Sequence, residues 1–447
     1  MNAIPTFAGP PLVGLNLHLL NDPVGLFTRA QRRYGDLVEL DLGAAGPLYG
    51  VFHPDGVKQV LLRGRRTHRA LLRELLGGGL FTSPSGEDWL RRRRLSQPVF
   101  TQDRLSRMLP LLLRSVDETV HRRWRPGLRV DAAAEMKRLT VAMMVDATFG
   151  PDTGVDRALA RRALGYLLPY VDQQLFTLLT PPRSWPTLRN RHFRAARSAL
   201  RGIIAEAVRE RRAGGTDEPT FLNGLLEGRS ATGGPEFTDE ELVDEVLSIF
   251  IAGTETTGTA LTWALHLLST HPAAADALRA EVAARIGTRT PTPDDLSRLH
   301  WPRAIVQEAV RLYPPAWALR RVMDEPLELG GATVPAGSPL IVSSYVTHRH
   351  PGLWTDPEDF VPSRWLPSAP EPPRFAYFPF GAGAHQCAGK MFALLQGELL
   401  LTRLAQEFTT LPTTRAPVRT SATIALSPVP TPELLLVAAP IREEECL

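Results

Sequence analysis

In the thirty residues from Val246 to Ala275 the sequence carries a single Asp, Glu, Lys or Arg, namely Glu255. A helix made from such a stretch is apolar on nearly every side, so it is either the central helix of a large core or a membrane span. Its flanks separate the two. Thr238 and Glu241 have the spacing of a capping box, and Asp239, Glu240 and Glu241 make an acidic first turn that suits the positive end of a helix. Near the middle stand Glu255, Thr256 and Thr257, polar groups that are costly against lipid. The stretch reads as a buried core helix.

Covering such a helix on all sides takes a long chain, and 447 residues with 43% hydrophobic content supply one. No repeat, charge block or long Gly/Ser tract divides it. The expectation is a mainly α protein with small β-sheets, one domain over 1–447. Its parts are a β-rich N-terminal part at about 36–60, a helical core at about 85–315, and a sheet and meander at about 320–375. A glycine loop with its following helix at 378–407 and a β tail at 411–447 complete it. Apolar periodicity predicts helices at 23–34, 103–123, 132–149, 155–168 and 189–212, and strands at 37–42 and 48–52.

Cys387 and Cys446 are the only cysteines, which excludes a disulfide framework and favours a reducing compartment. The first basic residue is Arg29, and Pro5, Gly9, Pro10, Pro11 and Gly14 break up the apolar N-terminus. Neither a signal peptide nor a stable membrane anchor is expected, so the protein reads as cytoplasmic. The formal charge is only +4, and although all but three of 51 basic residues are arginine, no nucleic-acid motif accompanies them; no nucleic-acid partner is expected.

Three motifs carry chemistry. Inside the apolar helix, Ala252-Gly253-Thr254-Glu255-Thr256-Thr257 sets small residues beside an acid and an alcohol. The small pair leaves room next to the helix, which a hydroxyl or a water could kink into a groove, and Glu255 with Thr256 could relay protons into it. Equally consistent is a Thr256 that bonds back to its own helix and a Glu255 paired with a distant Arg. Further on, Glu308 and Arg311 stand at i and i+3 on a helix that Pro314 and Pro315 end; alone, this is the pattern of a surface pair contributing ~0.2–0.5 kcal/mol.

The third motif is the most informative: Phe378-Pro379-Phe380-Gly381-Ala382-Gly383-Ala384-His385-Gln386-Cys387-Ala388-Gly389, followed by a helical run. A cysteine just before a helix N-terminus is favoured as a thiolate, and a thiolate can ligate a metal. Gly389 would give a flat macrocycle access to the backbone. A lone cysteine is also a common inert core residue. Zinc is excluded for want of further ligands at suitable spacing, and no cysteine-protease signature surrounds Cys387.

In order and spacing, these motifs resemble those of the cytochrome P-450 family of haem-thiolate monooxygenases over most of the chain. Phe380, Gly383, His385, Cys387 and Gly389 match the family's loop pattern, with His385 where many members have Arg. The resemblance implies the P-450 fold, with haem b between a long central helix and the cysteine loop. Cys387 is then the iron ligand, and Glu255 and Thr256 deliver protons on the distal side. Glu308, Arg311 and Arg364 form a structural network, although Ser363 stands where the family often has an acid. Trp89 and Arg93 fit the family's Trp-x-x-x-Arg pattern and, with Arg320 and His385, would hold the haem carboxylates.

The same resemblance implies O2 activation with electrons from NAD(P)H. The chain lacks cysteines for an iron–sulfur cluster, so the electrons are expected from partners, a ferredoxin and a ferredoxin reductase. Pocket candidates are the stretch before Trp89, the region 167–179, Ile249, Ala252, Ala316, Trp317, Leu319 and Ile424, nearly all apolar. They suit a small apolar substrate, hydroxylated or epoxidised, and similarity to bacterial terpene hydroxylases favours a terpenoid of secondary metabolism. Fatty acyl or polyketide oxidation, a peroxygenase or rearrangement enzyme, and a non-catalytic haem sensor or electron carrier are the competing readings.

Overall fold

The structure is a computed structural model that describes residues 3–439 except 11–13, 67–69, 152–153, 178–179, 215–216 and 229–236. Cys446 and part of the region 167–179 therefore lie outside the described residues. The last residues of the apolar stretch open a second helix, Pro272–Arg285, and the rest lie in one unbroken α-helix, Asp239–Thr270, whose capping box is formed as the sequence predicts. Its buried residues point in all directions, from Val246 and Leu247 to Thr254, Trp263 and Leu268. The helix packs most extensively on Ala132–Phe149, and it is also covered by Leu188–Gly214, Trp301–Leu312 and Lys390–Glu407. Among the described residues no helix is long and apolar enough to cross a membrane.

Two expectations about this helix change. Its hydroxyls do not interrupt it: Thr254 and Thr256 each donate to a carbonyl four residues back, Phe250 and Ala252, both at 2.7 Å, and the segment is helical throughout. Gly253 does not leave room either. A Cβ there would stand 2.6 Å from the Met144 Sδ, so this glycine lets the neighbouring helix approach closely.

Around the helices the described residues form four small sheets. In the largest, Thr6–Phe7, Leu37–Asp41, Pro47–Val51, Pro339–Val342 and Leu319–Val322 stand side by side in that order. Leu319 pairs with Val342 and Val322 with Pro339, which turns Arg320 and Arg321 to opposite faces. Residues 54–60, expected within the β-rich part, belong to a helix instead, Pro54–Arg63. Pro54 opens it, and Val57, Val60 and Leu61 bury one face. The helix expected at 155–168 runs on past Pro169 as Arg157–Phe176, and the one expected at 103–123 changes after Asp117 to a π-helical turn, Glu118–Arg123.

Trp301–Leu312 carries the acid–base pair, which is not on the surface. Glu308 and Arg311 are both 0% exposed. Arg311 donates to both carboxylate oxygens of Glu308, at 2.8 and 2.9 Å, and to the carbonyls of His348, Pro357 and Asp359. Glu308 also accepts from the Arg364 Nε, the Trp365 indole and the Val361 N–H. His348, fully buried, accepts at Nε2 from the Phe378 N–H at 2.9 Å, so its Nδ1 carries the proton toward the Arg311 carbonyl. Burial, with Arg311 beside it, holds its pKa well below that of a free histidine and keeps the ring neutral. Phe378 begins the cysteine loop, so the buried pair and the loop are joined through one imidazole.

Arg311→Ala removes the fully buried one of the two cations beside a buried carboxylate, leaving Arg364, and is expected to cost ~3–5 kcal/mol of stability, read as a fall in the urea midpoint. A midpoint close to wild type would show that the pair carries no such share of the fold.

Candidate active site

The cysteine loop is folded by its own backbone. Cys387 N–H donates to the Phe380 carbonyl at 2.8 Å, and Gly381 and Gly383 take φ of +67° and +69°, where side chains are strained. A Cβ on Gly383 would also press on the Leu61 carbonyl at 2.9 Å. A short 3-10 turn, Gly383–His385, leads to Cys387, and the helix Lys390–Glu407 starts three residues later. The Gly389 N–H bonds the thiol. Burial pushes the Cys387 pKa up, while that N–H, Arg93 and Lys390 pull it down. Yet the residue has open surface. Both hold when a thiol is surrounded by protein and faces an interior space.

Thr256 tells the same from the other side. It is exposed although Thr254 and Thr257, its helical neighbours, are buried, and Ala252 one turn earlier is half-buried. The central helix therefore opens over Ala252 and Thr256. Glu255 lies 3.8 Å from the Lys137 Nζ, not beside an arginine, and burial raises its pKa against the pull of Lys137.

Between these two faces the structure collects cations. Trp89 is 5% exposed and its indole N–H has no acceptor among the described residues. Its ring lies 3.9 Å from that of His385, whose Nε2 is 2.7 Å from the Ser85 Oγ and whose Nδ1 is 3.5 Å from the Arg66 guanidinium. Burial lowers the pKa of Arg93 despite the nearby thiol, and lowers that of Arg320 on its strand. Neither makes an ion pair among the described residues. Burial, with Arg93 beside it, brings Arg66 down to about 10; burial, with Arg66 beside it, does the same to Arg321. Trp89, Arg93, Phe380, Gly383, His385, Cys387 and Gly389 are thus brought to one region, and Arg320 follows Leu319, which lies 3.6 Å from where a Gly381 Cβ would stand.

Sequence reading missed Arg66 and Ser85. Arg66 donates to the Phe81 carbonyl at 2.8 Å, and a backbone bridge between Arg65 and Val322 sets it beside Arg321. In a chain with so many arginines nothing local marks it. Of the pocket candidates, Ile249, Ala252, Ala316, Leu319 and Ile424 are half-buried, whereas Trp317 is packed into a second core beside Phe27 and donates to the Thr423 carbonyl. Leu167 and Leu168 belong to the main core.

Half-buried guanidiniums such as Arg66 and Arg93, without carboxylates among the described residues, suit an anionic group beside them, and the unmatched Trp89 N–H calls for an acceptor. Among the described residues no set of three His, Cys, Asp or Glu side chains could hold a bare metal ion. A single thiol beside a donor cluster instead suits a metal already held in a macrocycle with carboxylate arms. These residues fit a haem.

The family model described as Cytochrome P450 matches residues 5–436. Cyclooctat-9-en-7-ol 5-monooxygenase of Streptomyces melanosporofaciens is 34% identical over 89% of this chain and 87% of its own. Cyclooctatin synthase of the same organism is 34% identical over 97% and 93%. Pentalenene oxygenase of Streptomyces avermitilis is 31% identical over 89% of each chain. Among solved structures, the crystal structure of the cytochrome P450DA heme domain superposes with a TM-score of 0.87 at 26% identity, covering 99% of this chain and 98% of that one. The chain belongs to the cytochrome P450 family, as a monooxygenase with a haem-thiolate cofactor.

Trp89→Phe deletes one N–H and keeps the ring. A hydrogen bond to a charged group is worth ~1.5–3 kcal/mol, so haem transfer from the variant to apomyoglobin is expected to be about tenfold faster or more. An unchanged rate would show that the indole does not engage the cofactor.

Proposed function

We propose that this monooxygenase hydroxylates or epoxidises a terpenoid. The observation that carries the reading is the likeness, along nearly the whole chain, to oxygenases named for cyclooctat-9-en-7-ol, cyclooctatin and pentalenene. The apolar character of Ile249, Ala252, Ala316, Leu319 and Ile424 agrees with it, because such a lining has no partner for a charged substrate.

When bound, the haem supplies reductive activation of O2 and transfer of one oxygen atom to carbon. The chain's own residues do the rest. Cys387 is the iron ligand, and the Gly389 N–H on its sulfur tempers the thiolate's charge. Trp89, Arg93, Arg320 and His385 hold the haem carboxylates, with Arg66 as a further donor.

Glu255 and Thr256 move protons. With its pKa raised by burial, Glu255 can hold a proton and pass it on, and Lys137 at 3.8 Å is its neighbouring cation. The Thr256 hydroxyl spends its hydrogen on the Ala252 carbonyl, which leaves its lone pairs to accept. Electrons reach the site from NAD(P)H through a ferredoxin and its reductase, partners suited to a cytoplasmic enzyme; among the described residues no helix is long and apolar enough to cross a membrane.

Adding terpene hydrocarbons and terpene alcohols to the ferric protein is expected to shift its Soret band by displacing iron-bound water, and turnover with ferredoxin, reductase and NADPH to give a product heavier by one oxygen. Response to fatty acids alone would replace the terpenoid reading; turnover with peroxide but never with NADPH would make the protein a peroxygenase. No turnover at all would leave a sensor or carrier.

Cys387→Ser is expected to abolish the red-shifted Soret band of the reduced carbon monoxide complex, and a wild-type band in that variant would rule out Cys387 as the ligand. In Thr256→Ala, substrate still binds, but most of the NADPH consumed ends as free peroxide; tight coupling of NADPH to product would argue against the proton route.

A further inference from the structure

The helix Leu188–Gly214 and the first half of the central helix run antiparallel, as two cross-pairs show: Arg212 Nε donates to Asp239 Oδ1 at 2.6 Å, and Arg201 pairs with Asp244. Between them lies a groove of about 710 Å³, and none of its lining residues belongs to the haem site. Phe193, Ala205, Val208 and Val243 give it an apolar lining, and Arg194, Arg197, Arg201 and Arg209 give it cations. Phe193, Arg197, Arg201, Ala205 and Val208 follow one another at intervals of three or four residues, so one face of the helix lines the groove along its length.

The charges along the groove are matched at one end only. Arg209 pairs with Glu206 on its own helix and Arg212 with Asp239. Arg194 and Arg197 make no ion pair among the described residues. Arg194 donates to the Arg183 carbonyl at 3.2 Å, and the Arg197 Nε is shielded from solvent without an acceptor among those residues. Burial, with Arg201 beside it, lowers the Arg197 pKa against the pull of Asp244, and Asp244 already accepts from Arg201 and from the Gly78 N–H at 2.6 Å. Arg183, Arg189 and Arg194 also act together on Tyr170, whose ring stacks on Phe193 at 4.1 Å; of the three, Arg183 pairs with Glu74 at 2.6 Å. Glu240, the lining acid without an ion pair among the described residues, stands in the first turn of the central helix, at the Arg212 end. Arg197 and Arg209 are about 18 Å apart along their helix at 1.5 Å per residue, so the groove has a cationic end and an acidic end.

These features define what fits. Two neighbouring guanidiniums without carboxylates are matched by a group that carries two negative charges and several acceptor oxygens, which a phosphate monoester offers and a single carboxylate does not. The rest of the ligand must be apolar, because beyond Arg201 the lining continues through Ala205 and Val208 with Val243 opposite. An inorganic anion leaves that surface wet, and a neutral hydrocarbon leaves the guanidiniums unmatched. Val243 precedes Thr256 by about 20 Å of helix, so the groove is separate from the opening over Thr256.

We propose that this groove binds a free amphiphilic phosphate, an apolar chain ended by a phosphate or diphosphate, with Arg194 and Arg197 on the phosphate and the chain along Ala205, Val208 and Val243. The site stands apart from the haem pocket and does not depend on which substrate is oxidised there.

Octyl phosphate, kept below its micelle concentration, is the probe, titrated by calorimetry into ferric holoprotein whose iron is saturated with 4-phenylimidazole. It is expected to bind, and Arg194→Ala and Arg197→Ala are each expected to weaken it about tenfold or more. Arg161→Ala, an exposed change on the helix Arg157–Phe176, should stay within about twofold of wild type. Octanol and inorganic phosphate each carry half of the recognised chemistry and should bind about tenfold more weakly than octyl phosphate, or worse. The spectrum of the reduced carbon monoxide complex reports that each variant is folded; Arg194 is exposed, so Arg194→Ala carries the test if Arg197→Ala does not fold. No binding to wild type, unchanged affinity in the folded arginine variants, or octanol binding as tightly as octyl phosphate overturns the proposal. So does binding that is lost whenever the azole occupies the iron, which would put the probe in the haem pocket. Capture by vesicles containing phosphatidic acid without binding of octyl phosphate would overturn it too, by making the arginines a membrane contact.

Discussion

The buried guanidinium of Arg311 is the constraint on which much of the molecule depends. A cation without water must be surrounded by acceptors, and Arg311 finds them in Glu308 and in the carbonyls of His348, Pro357 and Asp359. Those carbonyls belong to the irregular stretch after the last strand of the main sheet, which has little regular hydrogen bonding of its own. Glu308 completes the arrangement by drawing in Val361, Arg364 and Trp365. Because His348 joins the Arg311 carbonyl to the Phe378 N–H, the same set of bonds fixes where the cysteine loop leaves the core. A pair on one helix thus governs the placement of Cys387, more than seventy residues later in the chain.

A second consequence of burial lies on the opposite side of the balance. Around Glu308 every charge is matched; around Trp89 and His385 the charges are not. Arg66 stands beside Arg93 and Arg321 without a carboxylate among the described residues, and desolvation lowers the pKa of each. A protein that satisfies one buried network fully and leaves another short of anions is organised around a ligand that carries them. The haem of the family has that charge.

The central helix links the two halves of this arrangement. Its all-round apolar character lets it pass through the core, and its few polar residues mark where something other than core packs against it. Asp244, Glu245 and Ser248 take the backbone of a loop, Glu255 meets Lys137, and Thr256 faces open space. Gly253 shows how such signals mislead when read singly. Its small size read as room beside the helix, whereas Met144 from a neighbouring helix occupies that side.

Local pattern made much of this legible. The capping box, the helices at 23–34 and 132–149 and the glycine loop before the last long helix follow from residue spacing, because helix ends, apolar periodicity and tight turns depend on near neighbours. Partners far apart in sequence were not legible. Nothing near Arg66 distinguishes it from the many other arginines, and the Glu245–Leu80 bond joins residues 165 positions apart. Whether Glu308 and Arg311 were a weak surface pair or a buried centre depended on what covered their helix. Residue order alone established the core helix, the loop and the succession of motifs. Which side chains lose water together was settled by long-range packing, and that loss makes an ordinary pair or a lone arginine consequential.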